Sequence, residues 1–136
     1  FKKERYTRNL IHKNSDYEIM TLCWLPNQET AIHDHNQSEG WMTILQGEVT
    51  ETSYVCINST NLSLNKKTDL KMLPGNHSYI NDNIGYHRIK CNKKFPSITL
   101  HLYSPPILCC SVFDNKTKKM KKKLLSFDNV NPKEPT

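Results

Sequence analysis

The chain has 136 residues, 36% of them hydrophobic and 9% aromatic, and a formal net charge of +6 at pH 7. A chain of this length forms one domain that buries about two thirds of its extended-chain surface. No apolar run approaches the roughly 18 residues that a membrane span requires, so we predict no contact with a membrane. We expect a single domain over residues 1–128 and a disordered tail over residues 129–136.

Short segments with alternating apolar and polar residues follow one another along the chain, and none has the stripe of an amphipathic helix. Turn-forming pairs such as Gln46-Gly47 and Pro74-Gly75 separate them. The predicted strands cover 19–24, 41–45, 49–57, 78–80, 87–90, 98–103 and 111–113. A polar stretch over 58–69 is predicted to be a mobile loop. Short strands at this spacing are typical of an antiparallel sandwich or small barrel, so the predicted fold class is all-β.

The positive charge is concentrated near the end of the chain, in Lys116, Lys118, Lys119, Lys121, Lys122 and Lys123. These lysines lack the interleaved aromatic residues that stack on bases, and no helix-turn-helix pattern accompanies them. We therefore predict a solvated hairpin and no nucleic-acid partner. A nucleic-acid patch or a localisation signal is the alternative.

The five cysteines are odd in number, and Cys109 and Cys110 are adjacent, which suits no ordinary disulfide framework. This pattern favours a reducing cytosol, so the predicted location is cytoplasmic. The first residue is Phe1 rather than Met, and we expect that part of the N-terminus is missing.

Two histidines separated by one residue, His33 and His35, form a potential metal-chelating pair. On an extended chain their side chains point to the same side, with Cβ atoms about 6 to 7 Å apart, so both can reach one ion at about 2.1 Å. Strand-forming residues on either side predict that the pair lies on a buried strand. Alone, such a pair is more often a surface or hydrogen-bonded pair than a metal site.

Further polar side chains downstream extend this pattern. His87 is far enough along the chain for a neighbouring strand to bring it beside the first pair as a third imidazole. Thr99, His101 and Tyr103 share one face of a predicted strand, with leucines on the other face. A polar face inside a small barrel is costly unless its groups are hydrogen-bonded. An ordinary buried hydrogen-bonded set is the alternative interpretation.

Five stretches of the sequence, taken together and in this order, resemble those of cysteine dioxygenases of the cupin superfamily. They are residues 5–10, 32–35, 44–47, 79–88 and 100–106. The resemblance implies a cupin, a jelly-roll-like small β-barrel. Members usually carry a helical segment before the first stretch, and we expect it to be missing from this chain.

The resemblance also implies an iron enzyme of the cytosol that adds both atoms of O₂ to the sulfur of free L-cysteine and forms cysteine sulfinate, in cysteine catabolism and taurine biosynthesis. The implied Fe(II) ligands are His33, His35 and His87. Three neutral imidazoles leave the ion its full double charge, which favours binding of a thiolate. The expected partners are a small thiol and O₂, and the expected state is a monomer.

Other site residues carry over from the same motifs. Arg8 matches the residue that binds the substrate carboxylate, which suits a planar fork of donors, and Tyr6 matches its neighbour in the pocket wall. Tyr103 matches the catalytic tyrosine. His101 and Thr99 stand where a hydrogen-bonded chain orients the tyrosine hydroxyl.

The chain departs from the animal members at Gly40, where they have the cysteine that forms a thioether with the catalytic tyrosine. We therefore expect no Cys–Tyr cross-link; bacterial-type relatives commonly have glycine here. Glu39 lies one residue before the carboxylate ligand of general cupins, and we expect it to point away from the metal. The bond between Ser104 and Pro105 is expected to be cis, which would aim Tyr103 inward.

Two alternatives to a cysteine dioxygenase stay open. One is a dioxygenase for 3-mercaptopropionate or another small thiol, which would use the same three histidines; Arg8 argues against it. The other is a non-catalytic metal-binding cupin. Three histidines also suit zinc or nickel, so the sequence does not fix the metal.

Overall fold

The computed structural model describes residues 1–58 and 63–130. The described residues form ten strands and no helix, which confirms the all-β prediction, and no helix among them is able to cross a membrane. The strands are β1 (Thr7–Lys13), β2 (Glu18–Trp24), β3 (Glu39–Gln46), β4 (Val49–Asn58), β5 (Ser63–Met72), β6 (His77–Ile80), β7 (Tyr86–Cys91), β8 (Ser97–Ser104), β9 (Cys109–Asp114) and β10 (Lys119–Leu124).

The strands pair in three antiparallel groups: a five-stranded sheet in the order β1-β2-β8-β3-β6, a three-stranded sheet in the order β5-β4-β7, and the hairpin β9-β10. Isolated bridges from His33 to His87 and to Val112 connect the segment between β2 and β3 to β7 and β9. This segment therefore contacts both the smaller sheet and the hairpin.

The core lies where the inward faces of these strands meet. Along β2 every second residue is buried, as the predicted period of two requires. The buried apolar cluster consists of Met20, Leu22, Trp24, Met42, Ile44, Val49, Met72, Ile89 and Cys91. On β8 the buried positions of the same alternation are polar, Ser97, Thr99 and His101. Polar groups of β8 thus enter the interior beside the apolar face of β2.

Two strands, β1 and β5, were absent from the sequence-based prediction. The prediction of a mobile loop over 58–69 is wrong for residues 63–69, because they belong to β5 and pair with β4. The described side chains of β5 are almost all exposed, so hydrophobic alternation gave no signal; backbone pairing holds the strand. Residues 59–62 lie outside the described part of the chain. The predicted lysine-rich hairpin is confirmed as β9-β10.

Residues 125–129, called the C-terminal strap below, run along β1. The backbone N–H of Arg8 donates to Asp128 Oδ2 at 2.8 Å, and the N–H of Asp128 donates to the carbonyl oxygen of Arg8 at 2.7 Å. The Asn129 side chain bonds both the N–H and the carbonyl oxygen of Leu10. The predicted tail begins at Asn129, and its residues 131–136 lie outside the described residues.

Candidate active site

Three histidines converge in the interior. One potential ligand atom from each of His33, His35 and His87 lies within 4.8 Å of the other two. We had expected His33 and His35 to lie on a regular strand, but they lie on the segment between β2 and β3. His33 makes a single antiparallel bridge to His87, with N–H to carbonyl distances of 3.0 and 3.1 Å. One extended bridge is sufficient to bring these two imidazoles together.

A tight turn immediately after His35 fixes the second imidazole. Asn36 and Gln37 adopt left-handed backbone angles, with φ of 49° and 68°, and the N–H of Ser38 donates to the carbonyl oxygen of His35. The Asp82 carboxylate accepts from the N–H of His35 at 2.8 Å and from that of Gln37 at 2.6 Å. Asp82 therefore holds the turn from the loop that precedes β7.

Hydrogen bonds define which ring nitrogens are available. His33 Nδ1 lies 2.8 Å from the carbonyl oxygen of Ala31, and His87 Nδ1 lies 2.9 Å from Glu51 Oε2. A carbonyl or carboxylate oxygen accepts, so each Nδ1 carries the proton and each Nε2 presents a lone pair. The two rings of His33 and His87 thus present their Nε2 atoms to the cavity, while Ser78 donates to Glu51 from the other side.

This arrangement fits a metal ion. The Nε2 atoms of His33 and His87 are 3.1 Å apart with no proton between them. Two ligands about 2.1 Å from one ion and at right angles to each other are separated by about 3 Å, which this distance matches. Both ring nitrogens of His35 are buried without a hydrogen-bond partner among the described residues, a cost that a bound cation would remove.

The electrostatics favour the ligand form of each ring. Burial lowers the pKa of His33, His35 and His87, and for His35 the neighbouring imidazoles lower the pKa further. All three rings are therefore neutral at pH 7. Neutral imidazole is the form that coordinates metals.

A chain of buried hydrogen bonds leads to the tyrosine. Trp24 Nε1 donates to Thr99 Oγ1 at 3.0 Å, and Thr99 Oγ1 lies 2.7 Å from His101 Nε2. The hydroxyl proton of the fully buried Thr99 has His101 as its only described acceptor, so it points to Nε2 and His101 carries its own proton on Nδ1. That proton is donated to the Tyr103 hydroxyl at 3.2 Å.

The Tyr103 hydroxyl consequently accepts from His101 and keeps its own proton for another partner. Burial lowers the pKa of His101 to about 3 and raises the pKa of Tyr103, so both are neutral at pH 7. The rings of Tyr103 and His35 have centroids 5.9 Å apart. The chain from Trp24 thus ends on a phenol beside the histidine cluster.

A cavity of about 60 Å³, called the inner chamber, joins these groups. It is lined by the three histidines together with Tyr6, Arg8, His101, Tyr103 and Cys110. Arg8 Nη1 donates to the carbonyl oxygen of Ser126 at 3.2 Å, and its guanidinium lies 5.0 Å from the centre of the Phe127 ring. Among the described residues the guanidinium of Arg8 forms no ion pair with a carboxylate, and its Nη2 lies 3.3 Å from Met20 Sδ. Tyr6 stacks on Trp24, with ring centroids 4.5 Å apart.

Gly40 faces Tyr103 across paired strands. A Cβ atom placed on Gly40 would lie 2.9 Å from Tyr103 Cε1, the ring carbon next to the hydroxyl-bearing carbon. Glu39 is exposed and accepts a hydrogen bond from the Tyr79 hydroxyl at 2.8 Å, outside the histidine cluster. The bond before Pro105 is cis, as expected.

Sequence reasoning missed three residues that shape this site. Sequence analysis assigned no role in the site to Glu51, Asp82 or Trp24. A signal for Glu51 existed, because it has the same strand phase as the buried Val49 and a carboxylate on an inward face requires a partner. Trp24 has the only donor that reaches Thr99 among the described hydrogen bonds.

The comparisons with solved structures show the fold. An RmlC-like cupin protein from Desulfovibrio desulfuricans aligns with a TM-score of 0.57 at 19% identity, over 79% of this chain and 89% of that one. An uncharacterised conserved protein with a double-stranded β-helix domain from Klebsiella pneumoniae aligns with a TM-score of 0.58 at 18% identity, over 91% and 82%. The described architecture is accordingly the jelly-roll-like cupin fold.

The comparisons with sequences show the family. Cysteine dioxygenase type 1 from Bos taurus and from Homo sapiens are each 36% identical over 129 residues, covering 93% of this chain and 64% of the relative. The Danio rerio protein is 38% identical over 120 residues, covering 86% and 60%. The chain thus spans a little less than two thirds of the length of these relatives. The profile described as Cysteine dioxygenase type I matches residues 1–116, and the chain therefore belongs to that family.

Proposed function

We propose that the protein is an iron-dependent thiol dioxygenase that converts L-cysteine and O₂ into cysteine sulfinate. The observation that carries this proposal is one small cavity that combines three neutral imidazoles, an unpaired guanidinium and a neutral tyrosine. The 36% identity to relatives named cysteine dioxygenase type 1 supports the same reaction class.

His33, His35 and His87 are the proposed metal ligands, through Nε2 of His33 and His87 and one of the two unpartnered nitrogens of His35. Fe(II) held there would supply open coordination positions that bring a thiolate and O₂ together, and the electrons that reduce O₂ would come from the thiol sulfur. Glu51 keeps the His87 ring in the ligand tautomer through Nδ1.

Arg8 is the proposed binding site for the substrate carboxylate. Its guanidinium lines the inner chamber without a carboxylate partner among the described residues, so the charge is available to an anionic ligand. The contact with Phe127 and the bond to Ser126 restrict its orientation. Tyr6 forms the adjacent wall and is itself fixed by stacking on Trp24.

Tyr103, His101 and Thr99 are proposed to act as one unit. Because Thr99 sets the tautomer of His101, the Tyr103 hydroxyl accepts from His101 and presents its proton to the chamber. A neutral phenol in that position donates a hydrogen bond to substrate oxygen or sulfur.

We also propose that Tyr103 functions without a thioether cross-link. Gly40 has no side chain, and its backbone lies against the carbon at which such a link would form. The single cupin domain of residues 1–128, a monomeric state, a cytoplasmic location and a role in cysteine catabolism and taurine biosynthesis are parts of the same proposal.

The direct test is anaerobic loading with Fe(II), followed by oxygen uptake with L-cysteine and with 3-mercaptopropionate, and mass spectrometry of the products. We expect one O₂ consumed per cysteine sulfinate formed and a much weaker reaction with 3-mercaptopropionate. His87→Ala serves as the control, because it removes one ligand. Stoichiometric iron binding without oxygen uptake for either thiol would instead favour the non-catalytic metal-binding cupin.

A further inference from the structure

A second, larger cavity of about 450 Å³, called the outer chamber, adjoins the inner chamber and shares part of its lining. The two chambers share lining residues from three separate parts of the chain: Tyr6, Arg8, Ala31, Lys123 and Leu125. A molecule that reaches the histidines from the outer chamber must therefore pass between these side chains. Two of the five are cations.

Lys123 is the cation at this passage that the family resemblance does not explain. It lies on β10 directly opposite Cys110 of β9, whose thiol lines the inner chamber. Two other lysines of the hairpin have partners: Lys121 pairs with Asp114, and Lys118 lies 6.0 Å from the centre of the Phe113 ring. Within the described residues Lys123 forms no ion pair.

The acidic groups around the two chambers are mostly engaged elsewhere. Asp34 Oδ1 accepts from the N–H of Ser111 at 2.8 Å. Asp128 is bound by Arg5 and lies 3.5 Å from Lys2, and Glu29 lies 3.8 Å from Arg88. Glu4, at the outer edge, has no such partner among the described ion pairs.

The passage therefore has two cations, Arg8 and Lys123, that no described carboxylate neutralises. Burial, followed by the charge of Asp34, raises the pKa of Cys110 to about 11, and the charges of Lys123 and Arg8 act in the opposite direction. The charge of Lys123 therefore reaches a side chain that lines the inner chamber. Lys123 is itself exposed, but the chamber that it borders is lined by the buried His35 and His87, so its charge acts on an anion that enters a partly desolvated space.

We propose that Lys123 is a specificity-determining residue that makes the passage selective for thiols carrying a carboxylate over thiols whose end group is neutral. This inference rests on the proposed function and narrows its substrate class. Lys123 lies at the mouth of the inner chamber rather than among the proposed ligands, so it acts on the approach and binding of the anionic group. We therefore expect Lys123 to change kcat/KM and its dependence on ionic strength, and to leave kcat almost unchanged.

The kinetic test compares Lys123→Gln with Lys122→Gln, a matched control that removes the same charge from the adjacent residue of β10. The substrates are L-cysteine and L-cysteine methyl ester, which differ in one negative charge. For Lys123→Gln we expect the ratio of kcat/KM for the acid to that for the ester to fall about three- to tenfold, as for one unit charge near a partly desolvated site. The decline of kcat/KM with ionic strength should also become shallower. Both lysines are exposed, but Lys122 lines neither chamber, so Lys122→Gln should change the ratio less than about twofold.

A second readout needs neither metal nor turnover. Cys110 in the metal-free protein is alkylated with iodoacetate, an anion, and with iodoacetamide, which is neutral, and the modified peptide is quantified by tandem mass spectrometry. Because both reagents react with the thiolate, the ratio of the two rates does not depend on the fraction of Cys110 that is deprotonated. The ratio reports the electrostatic potential at the thiol. We expect this ratio to fall in Lys123→Gln and to stay constant in Lys122→Gln.

The two readouts separate this inference from the proposed function. An alkylation ratio that is the same in Lys123→Gln and wild type overturns the role of Lys123, whichever thiol the enzyme oxidises. A changed ratio in a wild-type protein that consumes no O₂ with any thiol supports the anion-selective passage and overturns only the proposed reaction.

Discussion

Replacing Thr99 with valine tests the hydrogen-bonded chain at its centre. The change keeps the shape of the side chain but leaves two buried polar groups without partners, the indole N–H of Trp24 and Nε2 of His101. Each unsatisfied buried group costs about 1 to 3 kcal/mol, so we expect the free energy of unfolding to fall by about 2 to 6 kcal/mol. His101 also becomes free to move its proton to Nε2. The Tyr103 hydroxyl would then donate to Nδ1 and turn its proton away from the chamber.

The assay has two parts, urea unfolding of the metal-free protein and steady-state oxygen uptake of the iron-loaded protein. We expect kcat to fall about tenfold to a hundredfold, at or below the low end of the roughly 10²- to 10⁴-fold contribution of a positioned proton donor, because the hydroxyl is turned away and not removed. The change in KM should be smaller. Thr99→Ser is the matched control because it retains the hydroxyl, and it should restore both the stability and kcat. A valine variant that loses stability but keeps full kcat would refute the claim that Thr99 sets the tautomer of His101.

Four further outcomes are expected. Arg8→Ala should raise KM for L-cysteine by a factor that corresponds to a few kcal/mol, and an unchanged KM would place the carboxylate elsewhere. Glu51→Gln should weaken iron binding about 10- to 100-fold, measured with a competing chelator, because the amide no longer fixes the His87 tautomer. After turnover of the iron-loaded protein, mass spectrometry should show a Tyr103 peptide of unmodified mass. In the Gly40→Cys variant that peptide should become linked to the peptide of the new cysteine, with the loss of two hydrogens. If this thioether does not form, residue 40 and Tyr103 do not lie as close as inferred. Burial lowers the pKa values of the histidines in the site in the folded protein, so the unfolded chain takes up protons at a higher pH than the folded one. The metal-free protein should therefore lose stability as pH falls below about 6.5, by up to about 1.4 kcal/mol per pH unit for each histidine. Equal urea midpoints at pH 7.5 and 5.0 would contradict this expectation.

The sequence predicted well which residues share one face of a strand. The alternation along β8 predicted that Thr99, His101 and Tyr103 share a face, and the structure connects all three by hydrogen bonds. The convergence of His33 and His35 with His87 also required only local extension and a returning strand. These features depend on the two-residue period of extended backbone, which a sequence displays directly.

Features that depend on pairing across long sequence separations were not visible in the same way. The turn at Asn36 and Gln37 is held by Asp82, 45 residues from Gln37, and an aspartate in a polar loop gives no indication of its partner. Most described side chains of β5 are exposed, so its residues up to 69 were predicted to form a loop, although the strand pairs along β4 with two register shifts. The role of Trp24 depends on one N–H within an otherwise apolar side chain.

The C-terminal strap has a practical consequence for protein engineering. Arg8 near the start of the chain receives its backbone contacts from Asp128, 120 residues later, and its side-chain contacts from Ser126 and Phe127. Truncation after residue 124, or a tag fused directly at that point, would leave every proposed metal ligand and the whole hydrogen-bonded chain intact. Such a protein would keep its proposed metal ligands, yet the Arg8 guanidinium would lose its contacts with Ser126 and Phe127 and keep the one with Met20 Sδ. Boundaries for expression should therefore be judged by substrate affinity as well as by yield and folding.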